Sequence, residues 1–341
     1  MGFILSMDKT LFICILMLLS FASCKKEEEN KRLELDQFNR ISVIIDDELW
    51  NGEVGDSLRN KFATPTIGLP QEEPMFTLNQ YPLKLMEGYM ANSRNIIIIK
   101  KGNKSQFKIV KNEFLKPQIV VHVSGSTVKE IIDSLKTKDS IIISNVKKQE
   151  IALFQQEILK DSLRTTESLE KKFGITLTIP KKYELVLKGK RFLWYKKQIT
   201  SGSLSLIVYQ IPINKYPLKK FSLDNVIEVR NLIGKKYIHG NRWGTYMITD
   251  ESYTPSFSKE FSKNLFVYET RGGWELTNEY MNGPFINFGF VDWENKRILF
   301  LEGFCYAPSK QKRDFLFELE SIIKSIKFEN RDNAKMANKK I

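Results

Sequence analysis

An apolar run over residues 11–19 closes on Ala22-Ser23-Cys24, and this junction decides where a folded body can begin. A secretory leader needs a short basic start, an apolar core of roughly 7 to 15 residues and small residues at the cut. Lys9, the run itself and Ala22-Ser23 supply all three. The core is too short to cross about 30 Å of hydrocarbon as a helix. Met7-Asp8-Lys9 gives a more conventional leader than Met1-Gly2-Phe3, which makes Met7 an alternative start.

A Cys placed directly after the small pair is what lipoprotein processing uses, because its thiol accepts a diacylglycerol and cleavage then frees its amine for acylation. The junction resembles a bacterial lipobox, with Phe21 where Leu, Val or Ile is usual. Residues 1–23 are therefore expected to be a leader, and Cys24 the lipidated first residue that attaches the chain to a bilayer. One acyl chain holds only marginally, whereas several hold durably. Residues 24–39 open with Lys25-Lys26-Glu27-Glu28-Glu29 and have few apolar side chains, so burial cannot offset their ordering entropy. They read as a tether of roughly fifteen residues that reaches up to about 50 Å. Lysines followed by acids behind the lipidated Cys also resemble the surface-export signal of Bacteroidota lipoproteins. The expected address is the cell envelope at the outer membrane, with the face undecided.

The formal charge of +13 invites a nucleic-acid reading, but 41 of the 53 basic residues are Lys and they are scattered along the chain. No RNP, zinc-knuckle, basic-helix or glycine-phosphate pattern accompanies them, so neither nucleic acid nor nucleotide is an expected partner. No metal or cofactor is expected either. With Cys14 in the leader and Cys24 lipidated, Cys305 is the one remaining thiol and no disulfide can form within a chain. Stability must come from burial, for which roughly 300 residues suffice.

Periodicity divides the body into two sequential α/β halves, 40–174 and 175–328, with a frayed tail over 329–341. The class is α+β, with largely antiparallel sheets and packed helices. In the first half, residues 41–45, 94–100 and 118–123 read as strands, as do the short runs 96–99 and 141–143. Residues 65–82 are broken by prolines. Thr127 and Glu130 form a capping box, and a helix over 146–173, closed by Gly174, joins the halves. The second half reads as strands with a helix over 223–233, capped by Ser222 and Gly234, and a final amphipathic helix carrying Phe315, Leu319 and Ile322. Each half ends as strand, turn, strand, capped helix, which raises an internal duplication.

The segments 45–52, 68–70, 93–96, 271–274, 282–285 and 302–308 together resemble a family of uncharacterised Bacteroidota lipoproteins, the domain of unknown function 4837. The resemblance extends over nearly the whole mature chain and implies no activity and no catalytic residues. The second half also resembles a PsbP-like α/β/α sandwich, which implies a binding or assembly role.

Several residues carry side chains suited to chemistry. Asp46 and Asp47 beside Trp50, and Asp292 with Glu294, are carboxylates that a cofactor-free hydrolase acting on polysaccharide would need; the plainer readings are an acidic helix start and a hairpin turn. His122 reads as a strand residue, and His239 sits in a loop suited to an anion or to acid/base work. Arg271-Gly272-Gly273-Trp274 and Asn282-Gly283-Pro284-Phe285 are the most distinctive loops, with Arg271, Trp274 and Phe285 as a candidate ligand rim. The leading expectation is a non-enzymatic module that binds an envelope protein or glycan, marked by an exposed apolar or aromatic patch without convergent titratable groups.

Overall fold

The computed structural model describes residues 33–85, 92–216, 221–262 and 265–329. The expected leader, Cys24 and most of the tether lie outside these residues, as does the tail from 330. The first half is built from β1 (Arg40–Ile44), α1 (Asp47–Trp50), α2 (Glu53–Phe62), β2 (Thr77–Tyr81), β3 (Asn95–Lys101), β4 (Gln106–Lys111), β5 (Ile119–Gly125) and α3 (Val128–Leu159). Its sheet runs β2-β1-β3-β5-β4. Three of the four pairings are parallel, and only β4 is antiparallel, to β5. The run Ile96-Ile97-Ile98-Ile99 shows why. Ile97 and Ile99 pack under α2 and α3, while Ile96 and Ile98 are buried on the opposite face, as in a parallel strand covered on both sides. The largely antiparallel expectation therefore describes the second sheet and not the first.

Residues 141–143, expected as a strand, lie inside α3, a continuous helix of 32 residues and about 48 Å. Ile142 is buried and Ile141 half-exposed, which is helical rather than strand alternation. The Thr127 hydroxyl takes the Glu130 amide at 3.2 Å, and Glu130 reaches back to the Ser126 amide at 2.9 Å. Once nucleation is satisfied, the small propensity deficit of three Ile residues does not stop propagation.

The second half contains α4 (Glu167–Phe173), β6 (Ile175–Thr176), β7 (Glu184–Gly189), β8 (Phe192–Ile199), β9 (Gly202–Pro212), α5 (Leu223–Tyr237), β10 (Met247–Thr249), β11 (Ser256–Ser262), β12 (Leu265–Leu276), β13 (Glu279–Asp292), β14 (Arg297–Tyr306), α6 (Arg313–Ile323) and β15 (Lys327–Phe328). Gly174 is left-handed at φ 59°, as expected, but it closes only the short α4: the helix expected over 146–173 is broken between Leu159, the last residue of α3, and Glu167. The sheet is antiparallel in the order β10-β12-β13-β14-β9-β8-β7, with β11 on the edge of β12. Strand β14 sorts its side chains by parity. Ile298, Phe300 and Phe304 meet Val226 and Val229 of α5, while Gly303 lies under Leu319 of α6, where a Cβ would approach within 2.6 Å. The result is helix, sheet, helix.

Gly234, expected to end α5, instead lies within it. An added Cβ would sit 2.0 Å from the Met247 carbonyl, so this glycine admits β10 against the helix. Helix α6 also packs on α3, where the rings of Phe38, Phe154 and Phe317 lie 5.2 to 5.5 Å apart, and this contact joins the halves. The suspected repeat is not reproduced in topology. β3 and β5 are parallel, with β4 outside them, whereas β13 and β14 form an antiparallel hairpin.

Candidate functional site

Of the residues expected to form a rim, Arg271 and Phe285 lie midway along β12 and β13 and Trp274 near the end of β12, and all three are enclosed. Arg271 donates to Glu269 at 2.6 Å and pairs with Glu320 at 2.9 Å, under the Gly68 turn of the first half. The Trp274 indole N–H donates to the Cys305 carbonyl at 3.2 Å. The Phe285 ring is covered by the Arg230 guanidinium, 3.4 Å from its centroid. Arg230 in turn forms a buried ion pair with Glu302 at 2.7 Å, and Asn287 and Tyr209 complete the network. Trp274, Phe285 and the Arg230 network organise the core between α5 and the sheet, whereas Arg271 joins α6 on the opposite face, and none of them presents an open surface.

The four carboxylates divide between the halves. Asp46 and Asp47 stand at the start of α1, where Gln80 donates to Asp47 at 2.9 Å. Asp292 and Glu294 lie at the β13–β14 turn and line a hollow of about 160 Å³ with Lys171, Lys172 and Arg297. Asp292 is already engaged, accepting from Arg297 Nε and Asn295 Nδ2 at 2.8 Å each. Arg297 also donates to Gln210 at 2.6 Å and to the Phe173 carbonyl at 2.5 Å, so the arrangement ties the hairpin to α4. The hollow is smaller than the roughly 300 Å³ at which ligand pockets begin. His122 pairs with Glu113 at 2.6 Å on a partly exposed strand face, and His239 donates to the Lys235 carbonyl at 2.9 Å. Among the described residues no group of three His, Cys, Asp or Glu side chains is placed to hold a metal. Burial pushes the Cys305 thiol up to about 12, away from reactivity.

The exposed aromatics lie at the strand ends. β12 pairs with β13 from Val267↔Phe290 onward, so Phe266 and Trp293 share one end of the sheet. Phe261 of β11 meets Phe266 with ring centroids 4.8 Å apart. Phe261, Phe266 and Trp293 keep 61, 49 and 57% of their surface exposed. Two neighbouring hairpins thus present three large rings at one end of the second sheet. The sequence pattern does not single them out: Phe266 falls within one of the expected strands of the second half, and Phe261 falls in no expected element.

Fold and site together define an α+β protein whose four candidate carboxylates are split between its halves and whose exposed aromatics gather toward strand ends. Residues 162–325 match a family model described as a domain of unknown function (DUF4837). Residues 35–159 match a second model, also a domain of unknown function (DUF8532). The resemblance expected over the whole chain is thus divided between two families, and segments 45–52, 68–70 and 93–96 fall in the second. The division falls at the break between α3 and α4, ahead of the expected boundary at 174. No curated protein matches the chain.

Proposed function

We propose that the chain is a lipid-anchored envelope protein, held through acylated Cys24, whose body is a non-enzymatic module that binds another envelope component, a protein or a glycan. The observation that carries this reading is the exposure of Phe261, Phe266 and Trp293, each with about half or more of its surface in water, at one end of the second sheet. Large rings kept in water at defined positions are the material of interface hot spots and sugar-stacking platforms.

The hydrolase reading is less well supported, since Asp292 is neutralised by Arg297 and the hollow beside it is small. The test is crosslinking in intact envelopes, comparing the natural chain with a Phe261→Ala/Phe266→Ala/Trp293→Ala variant and with Cys24→Ala. Loss of the same captured component in the triple variant at equal abundance supports the reading. Capture unchanged by the triple variant excludes the patch, and turnover abolished by Asp292→Asn would favour the hydrolase.

A further inference from the structure

We infer that the body meets the bilayer directly, through Trp243 and Tyr280 at the opposite end of the second sheet, inserted at the headgroup level of the membrane that holds the acyl chains. This rests on the anchoring proposed above.

The two rings sit on two loops strapped together. His239 bridges to Tyr246 beyond the end of α5. The Arg242 amide donates to Glu279 Oε1 at 2.6 Å, and the Thr245 hydroxyl lies 2.8 Å from the same oxygen. Tyr246 and Thr277 exchange two further bonds, at 3.0 and 3.1 Å. Gly244 at φ 81° and Asn278 at φ 58° provide the left-handed turns. From this braced tip Trp243 and Tyr280 are fully exposed. Trp and Tyr combine an apolar ring with a polar N–H or O–H, the combination that partitions to the membrane interface. Arg242, Lys235 and Lys236 flank them, while Asp250, Glu251 and Glu275 lie close behind and offset that charge. Insertion of the rings, and not charge attraction, is therefore the driving contact, and it is expected to persist in salt.

The path of the chain places the membrane at this end. β14 runs from Arg297, opposite Asp292, to Tyr306, and α6 then starts back from Arg313. Asn39 Nδ2 donates to Asp314 at 3.2 Å, so the first half joins α6 at its start, at the Trp243/Tyr280 end. Ten residue steps take the chain from Cys24 to Glu34, a reach of at most about 35 Å. A bilayer held by that reach faces the tip, while Trp293 is carried to the far end of the 14-residue β13, close to 50 Å away.

The test reconstitutes the mature acylated chain into phosphatidylethanolamine/phosphatidylglycerol vesicles carrying phospholipid brominated near the headgroup, in low and high salt. Tryptophan quenching is expected, lost in Trp243→Phe and kept in Trp293→Phe. Quenching unchanged by Trp243→Phe, or lost instead with Trp293→Phe, overturns the proposal. Fluorescence of Trp243 that responds to soluble glycans and not to vesicles would also overturn it and assign the tip to a sugar. Anchoring is read separately from the mass of the N-terminal peptide. If Cys24 proves unmodified, the tip is judged on a Cys24→Ser chain mixed with the same vesicles, where selective Trp243 quenching supports it and none overturns it.

Discussion

Glu73, on the loop before β2, accepts the backbone amides of Lys312 at 2.7 Å and Arg313 at 2.8 Å. A carboxylate of the first half thus caps the last helix of the second, where Lys312 provides no side-chain cap of its own. Anion and helix N-terminus attract each other, and the site is buried. Glu73→Ala is expected to lose about 2 kcal/mol, at the upper end for a lost cap, and Glu73→Gln less. Urea unfolding followed by circular dichroism checks this. A midpoint equal to that of the natural chain would remove the cap from the account, and a split transition would show that the halves unfold separately.

Acid is expected to loosen the same joint. Burial works to raise the Glu320 carboxyl, but the Arg271 and Lys324 charges outweigh it and hold it at about 2. Its folded value lies below its unfolded one, so the stabilisation is complete above about pH 4.5 and is lost as pH falls toward about 2. Urea midpoints measured from pH 6 to pH 2 should fall less steeply in Glu320→Gln than in the natural chain. Parallel curves would contradict the assignment.

Arg230 and Glu302 should behave as a coupled pair. Glu302→Leu leaves a buried guanidinium with Phe285 and Thr249 as neighbours and is expected to cost about 3–5 kcal/mol. Adding Arg230→Met should recover much of that loss, because no unpaired charge then remains in the core. A double-mutant cycle reads the coupling, and additive losses would show that the pair acts independently.

Cys305 should be inert in the native fold. A chain with Cys14→Ser and Cys24→Ser, treated with a thiol reagent at pH 8, is expected to react only as fast as it unfolds, and promptly in denaturant. Immediate reaction of the folded chain would place the thiol at the surface.

Features set by local chemistry were legible in the sequence: the acidic start of α1, the Thr127 cap, Gly174 and the apolar stripe of α6 all rest on a few neighbouring residues. Features set by distant packing were not. Gly234 looks like a helix stop until Met247 arrives against it from β10, and residues 141–143 look like a strand until the long helix has formed around them. Strand β2 was hidden because all five of its residues are half-buried at a sheet edge, which leaves no alternation to read. The expected rim shows the same division. Arg271 and Trp274 look poised for a ligand beside their glycines, but Gly68 from the other half covers the arginine and the Cys305 carbonyl takes the indole. Trp243 had a readable sign, since a ring in Gly240-Asn241-Arg242-Trp243-Gly244 has no apolar neighbour in sequence with which to pack.

Strands β6 and β15 pair Ile175 with Phe328 and Thr176 with Lys327, and the Glu329 amide donates to the Gly174 carbonyl at 3.2 Å. The two ends of the second half therefore leave side by side. A module shaped this way can be spliced into a loop of another protein, or have its ends joined and be reopened elsewhere, without stretching either host or guest.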